Sequence, residues 1–82
     1  MAMTGKRIDN DDVALINTSG AYGMLKGEWY ACTPNGLFAG LKNHTVTAHE
    51  GGTITVSPSI LVRGRPEESW HGFLEKGVWR EC

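Results

Sequence analysis

The residues of this chain best suited to hold a metal or move a proton are Cys32, Cys82, His44, His49 and His71. A structural zinc site needs four nitrogen or sulfur ligands, and a local clamp such as C-x-x-C normally supplies two of them from one turn. No such clamp occurs here. His44 and His49 lie five positions apart, which turns them to opposite faces of a strand. The residues left for a metal are Cys32, His71 and Cys82, spread along the chain, so the spacing argues for no resident metal and no cofactor. Ser69, His71 and Glu81 imitate a nucleophile, base and acid, yet no glycine elbow or helix terminus stands by to receive an oxyanion. A structural pair between His71 and Glu81 across a hairpin is the simpler reading. "GLFAG" lacks the lysine of a phosphate loop. Asp9, Asp11 and Asp12 have the look of a calcium loop without its glycine and closing glutamate. The chain therefore reads as a protein that is not an enzyme.

The elements that would position these groups are short. Eighty-two residues make one domain near the lower limit of what a single core can stabilise. Eleven glycines and three prolines imply many turns and suit a small β module better than a helical bundle. A net charge of −1 is wrong for a general nucleic-acid binder, and Arg63 with Arg65 reads as a solvated loop pair. The chain has no apolar run long enough to cross a membrane, its start lacks signal-peptide character, and two cysteines are too few for a disulfide framework. The expected location is the cytoplasm of a host cell. Residues 1–12 read as a flexible acidic arm, and residues 13–82 as one small β domain.

Within that domain "VALI" is open between strand and helical turn, "NTSGAYG" reads as a loop, and Glu28 to Thr33 reads as a strand stopped by "PNG". "LFAGLK" stays undecided, one reading being a helical turn that packs Phe38 and Leu41. In "HTVTAHEGGTITVS" apolar and polar residues alternate on both sides of a glycine pair, the pattern of a hairpin. A three-residue loop, Glu50-Gly51-Gly52, puts Ala48 opposite Ile54 and Val46 opposite Val56, apolar against apolar. It also asks Gly52 for a positive φ. The same device predicts a loop at Glu75-Lys76-Gly77, with Leu74 facing Val78, Phe73 facing Trp79, His71 facing Glu81 and Trp70 opposite Cys82. Pro58 should break or bulge the strand around it, with "ILV" beyond as a separately directed strand. The expected fold is mainly β: a small antiparallel barrel or sandwich of about five or six strands built from hairpins.

In that register the last hairpin carries large apolar groups on both faces. One core cannot cover both, so the face of Trp70, Leu74 and Val78 is expected to stay exposed and receive a partner. The acidic arm, through Asp9, Asp11 and Asp12, is the other expected contact.

With "WYAC", "TVSPSIL" and "WHGFLEKG" in view, the chain resembles a group of small phage and prophage proteins over Trp29 to Cys82. In their pattern cysteines accompany the histidine. Cys32 and Cys82 fit cysteine positions, whereas Trp70 stands where another is expected, which leaves a metal-ligand set incomplete. The resemblance implies viral origin and no established activity. Together these features predict a phage accessory protein that works by binding a protein of host or phage, in its sharpest form as an inhibitor of a bacterial defence complex. Alternatives are a zinc-stabilised module and a self-associating phage structural component. Composition leaves the partner's identity and the oligomeric state open.

Overall fold

The computed structural model describes residues 2–63 and 68–82; Arg65 of the Arg63 pair lies outside them. Among the described residues there are nine strands and one short helix, more strands than expected: two come from the segment read as an arm, one begins within the "NTSGAYG" read as a loop, and one lies in the undecided "LFAGLK". β1 (Ala2–Thr4) and β2 (Lys6–Arg7) precede α1 (Asp12–Asn17). β3 (Ala21–Leu25), β4 (Glu28–Cys32) and β5 (Phe38–Gly40) follow, then β6 (Thr45–Ala48), β7 (Ile54–Val62), β8 (Trp70–Glu75) and β9 (Val78–Glu81). They form a five-stranded sheet in the order β1-β9-β8-β7-β6 and a four-stranded sheet in the order β2-β3-β4-β5. The two sheets stack as a sandwich and do not close into a barrel.

The N-terminal segment is no arm. β1 lies antiparallel to β9 and β2 parallel to β3, so the chain crosses from one sheet to the other at Gly5 and closes that side of the sandwich. The crossing is tight: a Cβ on Gly5 would sit 2.7 Å from the Gly20 carbonyl and 2.9 Å from Trp79 Nε1. Asp11 caps α1, its carboxylate accepting from the Ala14 amide at 3.1 Å, the usual way to satisfy an orphan donor at a helix start. Pairing and capping give these residues partners that composition alone does not reveal.

"VALI" resolves as helix, with Leu15 fully buried beneath it. "LFAGLK" resolves as β5 rather than a helical turn, Phe38 standing opposite Cys32 and Gly40 opposite Tyr30. β7 runs unbroken through Pro58. Its pairing with β8 slips between Val56 and Ile60, a bulge in place of the separately directed strand that "ILV" was expected to form.

The first hairpin follows the parity argument: Val46 faces Val56 and Ala48 faces Ile54, with Gly52 at φ 93. Gly51 is also at positive φ, 88, which the type I reading of this turn does not ask for. The second hairpin departs from it. Glu75 faces Val78, Leu74 faces Trp79 and Phe73 faces Arg80, so the loop is Lys76-Gly77 alone, both at positive φ. Two consecutive positive φ values are the mark of the two-residue turn whose twist suits a hairpin, and Lys26-Gly27 makes the same turn between β3 and β4. Lys76 tolerates its strained conformation, which the expectation of a single left-handed glycine overlooked. Shortening the loop by one residue shifts the register and moves Trp79 to the face of Trp70 and Leu74.

That face is the core. Trp79, Leu74 and Ile54 are fully buried and Trp70 nearly so, joined by Tyr22, Ala31, Leu41, Val56 and Ile60. Gly77 is tightly surrounded, with a Cβ 2.7 Å from the Tyr22 hydroxyl, whereas a Cβ on Gly52 would meet nothing. Gly52→Ala should therefore cost only the left-handed penalty, about 1 kcal/mol. Gly77→Ala should cost that plus a packing clash, about 2 kcal/mol or more. Urea midpoints of the two variants check the order; equal losses would contradict it.

Candidate functional site

The strand alternation that buries Trp70, Leu74 and Trp79 turns the other face of the five-stranded sheet to solvent. β8 alternates buried and exposed along its whole length, so His71, Phe73 and Glu75 project outward. Across the sheet Leu61 stands opposite His71, and Arg80 opposite Phe73. No helix among the described residues lies over this face, since α1 packs against β3 and β4. Phe73 is 43% exposed and Leu61 49%, the largest apolar groups that this face shows.

The chemistry-bearing side chains gather on the same surface. Ser59 Oγ lies 3.0 Å from His71 Nε2, and Cys82 Sγ lies 4.0 Å from the same nitrogen. The Cys82 amide donates to the His71 carbonyl at 2.9 Å, so Cys82, and not Glu81, is the residue level with His71. The expected His71–Glu81 pair is thus replaced by a Ser59–His71–Cys82 group, a result of the one-residue change in loop length. Ser69 makes no hydrogen bond to His71 among the described residues. A nucleophile shares one imidazole nitrogen here with a competing hydroxyl, and no carboxylate among the described residues orients the ring.

Cys32 is elsewhere. It is fully buried, its thiol 3.5 Å from the Ile16 carbonyl of α1, and burial pushes the thiol pKa up, the direction of an inert core cysteine. The three metal candidates therefore do not converge: His71 and Cys82 meet on an exposed face, and Cys32 lies under the helix. Among the described residues no three His, Cys, Asp or Glu side chains are grouped so as to hold a metal ion.

The partner-contact residues are also redistributed. Trp70 is 4% exposed and Leu74 0%, so the face on which they lie is core; the expected exposure fails because the shorter turn inverts the hairpin. Val78 is half-buried on the outer face beside Glu75. Asp9 bonds Arg7 at 2.8 Å and accepts from the Met24 amide at 2.9 Å. The Arg7 hydrogen bond holds its carboxyl below the usual aspartate value, a contact that helps the fold above the carboxylate range and is lost as pH falls through it. Asp11 and Asp12 belong to the start of α1. These aspartates have structural work.

At the side of the sandwich away from Gly5, a cleft of about 480 Å³ opens between the sheets. Trp29, Leu41 and Val46 line it together with Glu28, Lys42 and His44. The Arg7 guanidinium sits 4.8 Å from the Trp29 ring and donates to the Gly52 carbonyl at 2.8 Å, tying the two sheets together. His44 Nε2 contacts the Ser59 carbonyl at 3.2 Å, while its Nδ1 is buried with no hydrogen-bond partner among the described residues. The sequence signal for the outer face was the alternation in "WHGFLE"; only the turn length decided which half of it faced water.

No family model matches the chain, and neither does any curated protein or solved structure. No helix among the described residues is long and apolar enough to cross a membrane.

Proposed function

We propose that the chain is a non-catalytic protein-binding module whose working surface is the outer face of the five-stranded sheet. The observation that carries this reading is the exposure of Leu61 and Phe73 on a face that no helix covers. An apolar pair of this size, rimmed by Ser59, His71, Glu75 and Arg80, has the composition of a binding patch: an apolar centre inside a polar rim. The partner is a protein surface that offers an apolar socket for these two side chains. The resemblance of Trp29 to Cys82 to small phage proteins supports a phage accessory role in the cytoplasm of a bacterial host, with blockade of a defence complex as its sharpest form. The Ser59–His71–Cys82 group is read as part of the rim, because nothing among the described residues positions the imidazole as a base.

Leu61→Ser with Phe73→Ser tests the surface. Both side chains are already half in water, so stability should change by only about 0.5 kcal/mol. Binding should weaken by about 2 kcal/mol or more, some thirtyfold. The immobilised chain and the double variant are compared in capture from a bacterial lysate, and the protein retained is then titrated against both by calorimetry. Equal affinity for the two would remove the face from consideration.

A further inference from the structure

The four sheet edges are not equally protected. β1 turns into the second sheet at Gly5, β2 consists of Lys6 and Arg7, and β5 ends in Gly40. β6 reads Thr45-Val46-Thr47-Ala48, with no charge, proline or glycine and with three β-branched residues. An uncharged edge rich in β-branched residues lacks the devices that keep strands from pairing with another chain.

Its hydrogen-bonding parity is fixed by the hairpin. The His49 amide donates to the Thr53 carbonyl at 2.8 Å, so His49 and Thr53 form a bonded pair and the alternation continues through Thr47–Thr55 and Thr45–Ser57. Val46 and Ala48 therefore turn their N–H and C=O groups away from β7, toward the open edge, where no described residue meets them.

We propose that β6 pairs with β6 of a second copy of this chain, antiparallel about a two-fold axis through Thr47. In that register Val46 of one copy bonds Ala48 of the other reciprocally on both sides of the axis, and every outward backbone group of the strand is used. An isologous contact of this kind closes on itself and stops at a dimer. The pairing rests on these backbone bonds: His44, level with Glu50 of the second copy, has its Nε2 on the Ser59 carbonyl and its Nδ1 buried. The five-stranded sheets become one continuous sheet, and the outer faces that carry Leu61 and Phe73 join into a bivalent surface. A strand pair buries little area, so the dimer is weak and forms at high chain concentration.

Thr47 faces solvent on the outer side, so its substitution leaves the single chain intact. Sedimentation equilibrium of the unmodified chain, at concentrations rising to about 1 mM, should show a mass moving from 9.0 kDa toward twice that value. Thr47→Lys places like charges opposite each other across the axis and should weaken association about fivefold or more; Thr47→Glu should do the same. An equimolar mixture of the two variants should restore the dimer. A chain that stays at 9.0 kDa throughout overturns the proposal. So does a Thr47→Lys variant that still dimerises like the parent, and so does a mixture that fails to recover.

Discussion

Trp79→Ala should remove most of the stability of this domain. Trp79 is fully buried at the centre of the core and meets Trp70 edge to face, with ring centroids 5.2 Å apart and planes at 85°. Its indole N–H donates to the Gly20 carbonyl at 2.8 Å, which ties β9 of one sheet to the entry of β3 in the other. Truncating a buried tryptophan costs about 3–5 kcal/mol through lost transfer energy and the cavity left behind. Losing the indole bond to the Gly20 carbonyl, which keeps the Lys6 amide at 3.2 Å, adds about 0.5–1 kcal/mol. A small domain holds little more than about 5 kcal/mol in total, so the variant should be largely unfolded at room temperature. Trp79→Phe should recover part of the apolar term and none of the hydrogen bond, and so fall between. Urea titration followed by circular dichroism measures both. If Trp79→Ala lost less than about 1.5 kcal/mol, Trp79 could not be the hub, and the longer loop that turns it outward would have to be reconsidered.

How far the sequence discloses this fold depends on the kind of signal. Alternation is local and strong, so the β6–β7 hairpin, the strand from Glu28 and the mainly β class could be read directly. Parity also fixed the first turn, because Val46, Ala48, Ile54 and Val56 are all apolar and only one loop length pairs them. Parity failed at the last hairpin for a physical reason. "WHGFLEKGVW" is apolar on both sides of its alternation, and Gly72 contributes no side chain to mark the inner face. A Cβ there would lie 2.2 Å from the Arg80 carbonyl and 2.5 Å from the Trp70 ring, so the glycine is the gap into which Trp70 packs. An apolar count treats that position as blank. The site inherited the error: with the register displaced, Trp70 and Leu74 read as surface, and the meeting of Ser59, His71 and Cys82 could not be foreseen. That meeting also needs the bulge around Pro58, which was expected, and the continuation of β7 through it, which was not. The N-terminal segment was misread differently. Its contacts are backbone hydrogen bonds to strands remote in sequence, and composition does not record such bonds.

Gly23→Ala puts that last point to an experiment whose two outcomes have opposite signs. Were residues 1–12 a loose arm, alanine at Gly23 in the middle of β3 would be neutral or would stabilise by about 0.5–1 kcal/mol, since glycine is the costlier residue to order in a strand. The fold predicts the reverse. The segment after β2 continues alongside β3, the Ile8 amide donating to the Tyr22 carbonyl at 2.9 Å and the Asn10 amide to the Met24 carbonyl at 2.8 Å. Between these bonds the chain passes directly over Gly23. A Cβ there would stand 1.7 Å from the Ile8 carbonyl oxygen and 2.6 Å from its carbon. Those are backbone atoms, so no side chain can rotate out of the way. The added methyl must lift Ile8 to Asn10 off the sheet, breaking both bonds and the Asp9 contact to the Met24 amide. The expected loss is about 3 kcal/mol, the upper part of the overpacking range with hydrogen bonds added. Amide hydrogen exchange locates it: Ile8 and Asn10 should be protected in the parent chain and exchange freely in Gly23→Ala, while Thr47 and Thr55, a bonded pair in the other sheet, lose only what the global drop in stability takes from them. Free exchange at Ile8 in the parent, or a variant more stable than the parent, would return the first twelve residues to solvent.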